Sequence, residues 1–177
     1  MKNYLKKTLI SEEKIKTRVK ELAETIAKDY TGEPLSVIGL SNGALIFVAD
    51  LIRGINIPLH LDSLMASSYS GVESTGKIDI VSGMKLPVKN RHVLIVDDIL
   101  DTGRTITKVI KLVEKGSPLS IKTCVFLDKP SRRVVDYKAD YIGFEIEDAF
   151  VVGYGLDCNE AFRNLPYIAI VKEEFYK

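Results

Sequence analysis

The stretch HVLIVDDILDTGRT, residues 92–105, sets four apolar residues, Val93 to Val96, directly against Asp97 and Asp98, with Asp101 and Thr-Gly-Arg-Thr close behind. The apolar run reads as a buried strand. Beyond it Ile106, Val109, Ile110 and Val113 recur at i, i+3, i+4 and i+7 and stop at Lys115-Gly116, so an amphipathic helix begins close to Gly103. In a parallel sheet, ligands sit in the turn from a strand's carboxyl end into the next helix. Residues 97–105 occupy such a turn.

The rest of the chain extends this pattern in both directions. Ser11 suits a helix N-cap, with Glu12 and Glu13 in the first turn and Ile15, Val19, Leu22 and Ile26 at helical spacing. LSVIGL (35–40) is a strand ending in Ser-Asn-Gly, and the apolar stretch from Ala44 to Ile55 is too long for one strand and reads as a buried helix. Leu59, Leu61 and Leu64 suggest another strand. The Ser- and Gly-rich ASSYSGVESTGK that follows predicts a long mobile loop over about 66–78. IKTCVFL (121–127), YIGFEI (141–146) and YIAIV (167–171) complete the strands. Strands alternating with helices predict an α/β fold with a mostly parallel central sheet flanked by helices, and a length of 177 residues fits one domain spanning 1–177.

Composition narrows the partners. With 25 Lys and Arg against 24 Asp and Glu the net charge is +1, so there is no electrostatic case for nucleic acid or a membrane surface. Cys124 and Cys158 show neither zinc spacing nor a disulfide framework. The basic start, MKNYLKK, leads into SEEKIK and not into an apolar core, and no segment is apolar for long enough to span a bilayer. A soluble cytoplasmic protein is expected.

The chemistry of 97–105 can be read from its groups. Free backbone N–H groups at the helix start, the Gly103 backbone and the hydroxyls of Thr102 and Thr105 make a cup for a phosphate. Carboxylates in the same loop repel that phosphate unless they face something else. A sugar diol answers this, because an ionised carboxylate only accepts hydrogen bonds and two adjacent hydroxyls donate them; a divalent cation answers it as well. The loop therefore asks for a ribose 5-phosphate. A plainer alternative has Asp97 and Asp98 ending a strand and Asp101 capping a helix, but three acids together with Thr-Gly-x-Thr at a helix start weigh against it. Neither GxxxxGK[ST] nor GxGxxG is present.

VLIVDDILDTGRT resembles the phosphoribosyl-pyrophosphate (PRPP) signature of the type I phosphoribosyltransferases, and a third acid two residues before the glycine, Asp101, is similar to the 6-oxopurine branch. SSYSG (67–71), LDKPSRR (127–133), FVVGYGLD (150–157) and NEAFRNLPYI (159–168) fall in the order seen in hypoxanthine-guanine phosphoribosyltransferases, and with LISEEKIKTRV the resemblance covers nearly the whole chain. It implies that fold with a small hood built from terminal segments, and transfer of phosphoribose from PRPP to a 6-oxopurine with release of pyrophosphate. It also implies a homodimer or homotetramer, to which the apolar residues from Leu45 to Leu51 could contribute if they are not all core.

The resemblance also implies roles. Asp97 and Asp98 hold the ribose hydroxyls and the Mg2+ shell, while Asp101, Thr102, Gly103, Arg104 and Thr105 hold the 5'-phosphate. Asp101 is the general base, and crowding among acids is expected to raise its pKa. Lys129 donates to the exocyclic oxygen at C6 of the base, Phe150 stacks on the base, and Val151 and Asp157 line its edge, with Asp157 at a second metal site. Asn42 and Gly43 bind pyrophosphate through their backbone, across a peptide from Ser41 that is often cis in the family. Ser68, Tyr69 and Arg163 contact pyrophosphate as well, the first two from the loop that closes over it. Read without the resemblance, Phe150 is core, Arg163 is a surface charge, and Lys129 is as readily a solvated surface lysine before a turn-forming proline as a site residue. One position departs: many members carry a basic residue where Asn42 stands, which bears on PRPP affinity. His60 and His92 read as structural, with no ligand partner at metal spacing.

Three other readings fit the residues less well. A signalling receiver domain has an acidic pair and a Lys-Pro, but places the pair near its N-terminus. A non-catalytic PRPP-sensing regulator would usually add a nucleic-acid-binding module or a basic face. Adenine or pyrimidine transfer is opposed by Lys129, whose ammonium donates only and suits a 6-oxo group.

Overall fold

The computed structural model describes residues 3–68, 78–82 and 85–176. In chain order the elements are β1 (Leu5–Ile10), α1 (Glu12–Asp29), β2 (Leu35–Ser41), α2 (Leu45–Gly54), β3 (Leu59–Ser68), β4 (Ile78–Ser82), β5 (His92–Leu100), α3 (Arg104–Glu114), β6 (Ser120–Asp128), β7 (Tyr141–Glu145), β8 (Val151–Val152) and β9 (Ile168–Val171).

Alternation along β5 explains the layering. Val93 and Ile95 point to one face of the sheet and pack with Ile106, Val109 and Val113 of α3. Leu94 and Val96 point to the other and pack with Ile15 and Leu22 of α1 and Phe47 and Leu51 of α2. A strand covered on both faces must be apolar at every position, and that is why 93–96 is an unbroken run. The central sheet has the order β4-β3-β2-β5-β6-β7, with β3, β2, β5, β6 and β7 mutually parallel and β4 antiparallel at one edge. At the other edge Arg18 of α1 donates from Nε to the Gly143 carbonyl (2.9 Å) and from Nη2 to that of Ile142 (2.8 Å), covering β7. Ser11 caps α1 as its sequence position predicts, its hydroxyl accepting from the Lys14 amide at 3.4 Å.

A second sheet, β1-β9-β8, is antiparallel, with Leu5 opposite Val171 and Val151 opposite Ile170. It is the hood. Neither β1 nor β8 appears in the periodicity of the sequence, since LKKTLI carries two lysines and β8 is two residues long.

The loop expected over about 66–78 needs correction at both ends. Residues 66–68 continue β3 and residue 78 opens β4, the two strands pairing from Ser68 opposite Ile78 to Met65 opposite Ser82. Tyr69 and the rest of 69–77 lie outside the described residues. Asp62 anchors the far side of this hairpin: its carboxylate accepts from the backbone N–H of Ser63 (2.8 Å), Lys85 (2.7 Å) and Leu86 (2.9 Å). Burial pushes its pKa up, but the three N–H donors and the Lys85 charge outweigh burial and hold it below the usual value. Because the folded-state pKa is depressed, this stabilisation is complete above the unfolded pKa and is lost as pH falls through the folded one. Asp62→Asn is therefore expected to lower Tm at neutral pH, with the gap from wild type closing once pH drops below about 4. Thermal melts from pH 7 downward test this, and a gap independent of pH would refute it.

Candidate functional site

The chain leaves β2 toward β3 on one side through α2, and leaves β5 toward β6 on the other through α3. Because β2 and β5 are neighbours, their carboxyl ends flank a topological switch point, where the diverging connections open a crevice. The crevice here is a cleft of about 640 Å³. Its floor and walls gather the turn after β2 (Ser41, Asn42, Gly43), the end of β5 (Asp97, Asp98), the loop into α3 (Asp101, Thr102, Gly103, Thr105), and Asp157, Glu160 and Arg163 from the segment before β9. Residues spread over more than half the sequence meet because parallel strands deliver their loops to one edge.

The acidic pair is half-buried at the cleft floor, and the Asp98 amide donates to Asp97 Oδ1 at 3.0 Å. Burial pushes the Asp97 carboxyl well above the usual range, and the Asp98 charge adds to it. Burial raises Asp98 too, opposed by hydrogen bonds from its surroundings and by the Arg163 charge. Two such carboxylates suit hydroxyl donors or a cation. Gly43 is the reason they can sit there, since a Cβ on it would fall 1.6 Å from Asp98 Oδ2. The peptide between Ser41 and Asn42 is cis.

Into α3, Gly103 turns the chain at φ 82 and the helix begins at Arg104, whose amide meets Thr102 Oγ1 at 3.4 Å. Thr102, Gly103 and Thr105 line the cleft. Arg104 departs from expectation: its side chain is exposed and it is not among the cleft-lining residues.

Asp101 departs as well. It is partnered by Arg132, whose Nε donates to Asp101 Oδ1 at 3.1 Å while its Nη1 lies 3.6 Å from Asp148. The crowding foreseen for it falls on Asp97 and Asp98. Lys129 lies next door because its amide donates to the Leu100 carbonyl at 3.0 Å, fastening the 129–133 turn to the end of β5. It is 8% exposed, against the expectation for a surface lysine, and its ammonium donates to the Ala149 carbonyl at 2.6 Å with Asp148 at 3.9 Å. Burial pulls its pKa down, with Asp101 and Asp148 opposing. Arg133 forms an ion pair with buried Asp128. The sequence offers Arg132 and Arg133 side by side with no sign of which one meets Asp101.

Phe150 is 38% exposed, so it is not a core residue, and its ring stacks on Tyr176 with centroids 4.5 Å apart and planes 13° apart. Val151 is buried in β8. Asp157 is half-buried with both oxygens engaged, Oδ1 on Arg163 Nη2 (2.9 Å) and Oδ2 on the Glu160 amide (2.9 Å). It is therefore not a free ligand, and among the described residues no group of three acidic, His or Cys side chains is arranged to hold a metal. The Asp97–Asp98 pair fits a divalent cation that brings its other oxygens from a substrate phosphate. Ser68 lies at the end of β3. His92 is structural as expected, its Nδ1 within 2.7 Å of Ser120 Oγ.

Residues 7–159 match the phosphoribosyl transferase domain family. The chain is 47% identical over 169 residues to a hypoxanthine-guanine phosphoribosyltransferase of Aquifex aeolicus, covering 94% of this chain and 95% of that one. It is 44% identical over 177 residues to the protein of that name from Staphylococcus aureus, covering 99% of each. A crystal structure of a hypoxanthine phosphoribosyltransferase from Staphylococcus aureus superposes with a TM-score of 0.95 at 43% identity, over 100% of this chain and 97% of that one.

Proposed function

The chain belongs to the phosphoribosyl transferase family, and from that premise we propose that it is a purine-salvage enzyme transferring 5-phosphoribose from PRPP to hypoxanthine or guanine. A purine nitrogen forms the bond to C1 of the ribose as the bond from C1 to pyrophosphate breaks, through a transition state with oxocarbenium character, and the proton that nitrogen carried passes to Asp101 as general base. No covalent intermediate with the protein is required. Asp97 and Asp98 accept from the ribose hydroxyls, and the N–H groups and hydroxyls of 101–105 hold the 5'-phosphate. The Asn42–Gly43 backbone and Arg163 take the pyrophosphate, and Ser68 and Tyr69 are further contacts to it. Val151 and Asp157 line the edge of the base. The magnesium ion suited to Asp97 and Asp98 supplies positive charge to the phosphates when bound. The setting is cytoplasmic, and the exposed apolar side chains Leu45, Ile46, Leu61 and Met65 suit a homo-oligomer contact.

The observation that carries the 6-oxopurine reading is the buried ammonium of Lys129, held on the Ala149 carbonyl next in the chain to exposed Phe150. A buried donor with no acceptor role rewards a carbonyl at C6 and gains nothing from an amino group. Pyrophosphate release from PRPP is therefore expected with hypoxanthine and guanine and not with adenine. Lys129→Ala is expected to raise the KM for the base by about 10- to 100-fold, the loss of one charged hydrogen bond, with the KM for PRPP unchanged. Turnover of adenine at a rate matching hypoxanthine would refute this assignment.

A further inference from the structure

The turn Gly153-Tyr154-Gly155 has three successive residues at positive φ, 104, 50 and 103. Two are glycines, which suit that region, but a buried tyrosine does not. Tyr154 is held there from outside the turn. Its hydroxyl donates to Asp50 Oδ2 of α2 at 2.7 Å, and its ring packs on Phe126 of β6 with centroids 4.8 Å apart. Asp50 is kept in place by Arg53, one turn along the same helix.

The turn bears on two residues that line the cleft, Gly43 and Arg163. Gly155 is pressed so closely on the Gly43 carbonyl that a Cβ would come within 1.9 Å of that oxygen. Its own carbonyl accepts from Arg163 Nη1 at 2.8 Å, and its amide donates to the Arg163 carbonyl at 2.9 Å. One residue thus touches both groups that face the pyrophosphate in the proposed function. We infer that the hydrogen bond from Tyr154 to Asp50 is a positioning device for pyrophosphate: it locks the left-handed turn so that Gly155 holds the Gly43 backbone and the Arg163 guanidinium in one relative geometry.

This rests on the phosphoribosyl-transfer reading, and the test keeps the two apart. Tyr154→Phe removes only the hydroxyl. It is expected to raise the KM for PRPP and the Kd for magnesium pyrophosphate about tenfold, while the KM for the base and kcat stay near wild type. Asp50→Leu should match it. Asp50→Asn keeps an acceptor for the tyrosine hydroxyl and should restore wild-type values, and the Tyr154→Phe/Asp50→Leu double variant should be no worse than either single one. Calorimetric titration of magnesium pyrophosphate gives a readout independent of turnover. If the variants melt at lower temperature yet bind pyrophosphate and PRPP as wild type does, the bond merely stabilises the fold and the inference is overturned. A wild type that neither turns over nor binds pyrophosphate overturns the functional reading, and the inference with it.

Discussion

Asp101→Asn is expected to lower kcat by about 10²- to 10⁴-fold, the range of a general base, with little change in the KM for PRPP or base. The surroundings of Asp101 make the substitution specific. Arg132 Nε donates to Oδ1 of the carboxylate at 3.1 Å, and an asparagine amide oxygen accepts the same bond, so the 101–105 loop keeps its shape. The variant loses basicity and the negative charge facing Arg132 and Lys129, while the hydrogen bond that shapes the loop is kept. Asp101 is half-exposed just after β5 and lines the cleft. Arg132 then holds one oxygen while the other is available to take the proton. Steady-state rates of pyrophosphate release with hypoxanthine at saturating PRPP measure the effect. A fall of less than tenfold would remove Asp101 from the role of base.

How much of this was legible before folding varies by residue, for physical reasons. Residues 92–113 could be read because one segment carries three independent signals: an unbroken apolar run, acids at its carboxyl end and a 3.6-residue period after it. The cup at 102–105 follows from helix termini alone. Burial of Lys129 could not be read, since it depends on the bond from its amide to the Leu100 carbonyl and on the Ala149 carbonyl over its ammonium. The partner of Asp101 was hidden for a similar reason, as either of two adjacent arginines could have reached it. β4 was obscured by the Ser- and Gly-rich stretch before it, and β8 is too short for any period. Short-range pattern marks the strand ends that carry the chemistry. Long-range contact decides which charges those ends meet.

Gly43→Ala tests the most closely packed of these contacts. The added methyl would sit 1.6 Å from Asp98 Oδ2 and 2.6 Å from its Cγ. The turn cannot retreat, because the Gly43 carbonyl already bears on Gly155 from the other side. Asp98 must swing instead, and its carboxylate leaves the position from which it would accept ribose hydroxyls. The expected result is a fall in kcat/KM for PRPP of about 10²- to 10³-fold, the loss of one or two hydrogen bonds to a charged acceptor, with the KM for the base nearly constant. Stability should suffer far less than activity, because burial raises the pKa of Asp98, and moving the carboxylate toward water relieves that cost. A double-mutant cycle separates cause from coincidence. If the methyl acts through Asp98, Gly43→Ala added to Asp98→Ala costs almost nothing further, since the group it displaces is already gone. Losses that add in full would place the damage in the turn backbone and refute the claim that Gly43 is there to make room for Asp98.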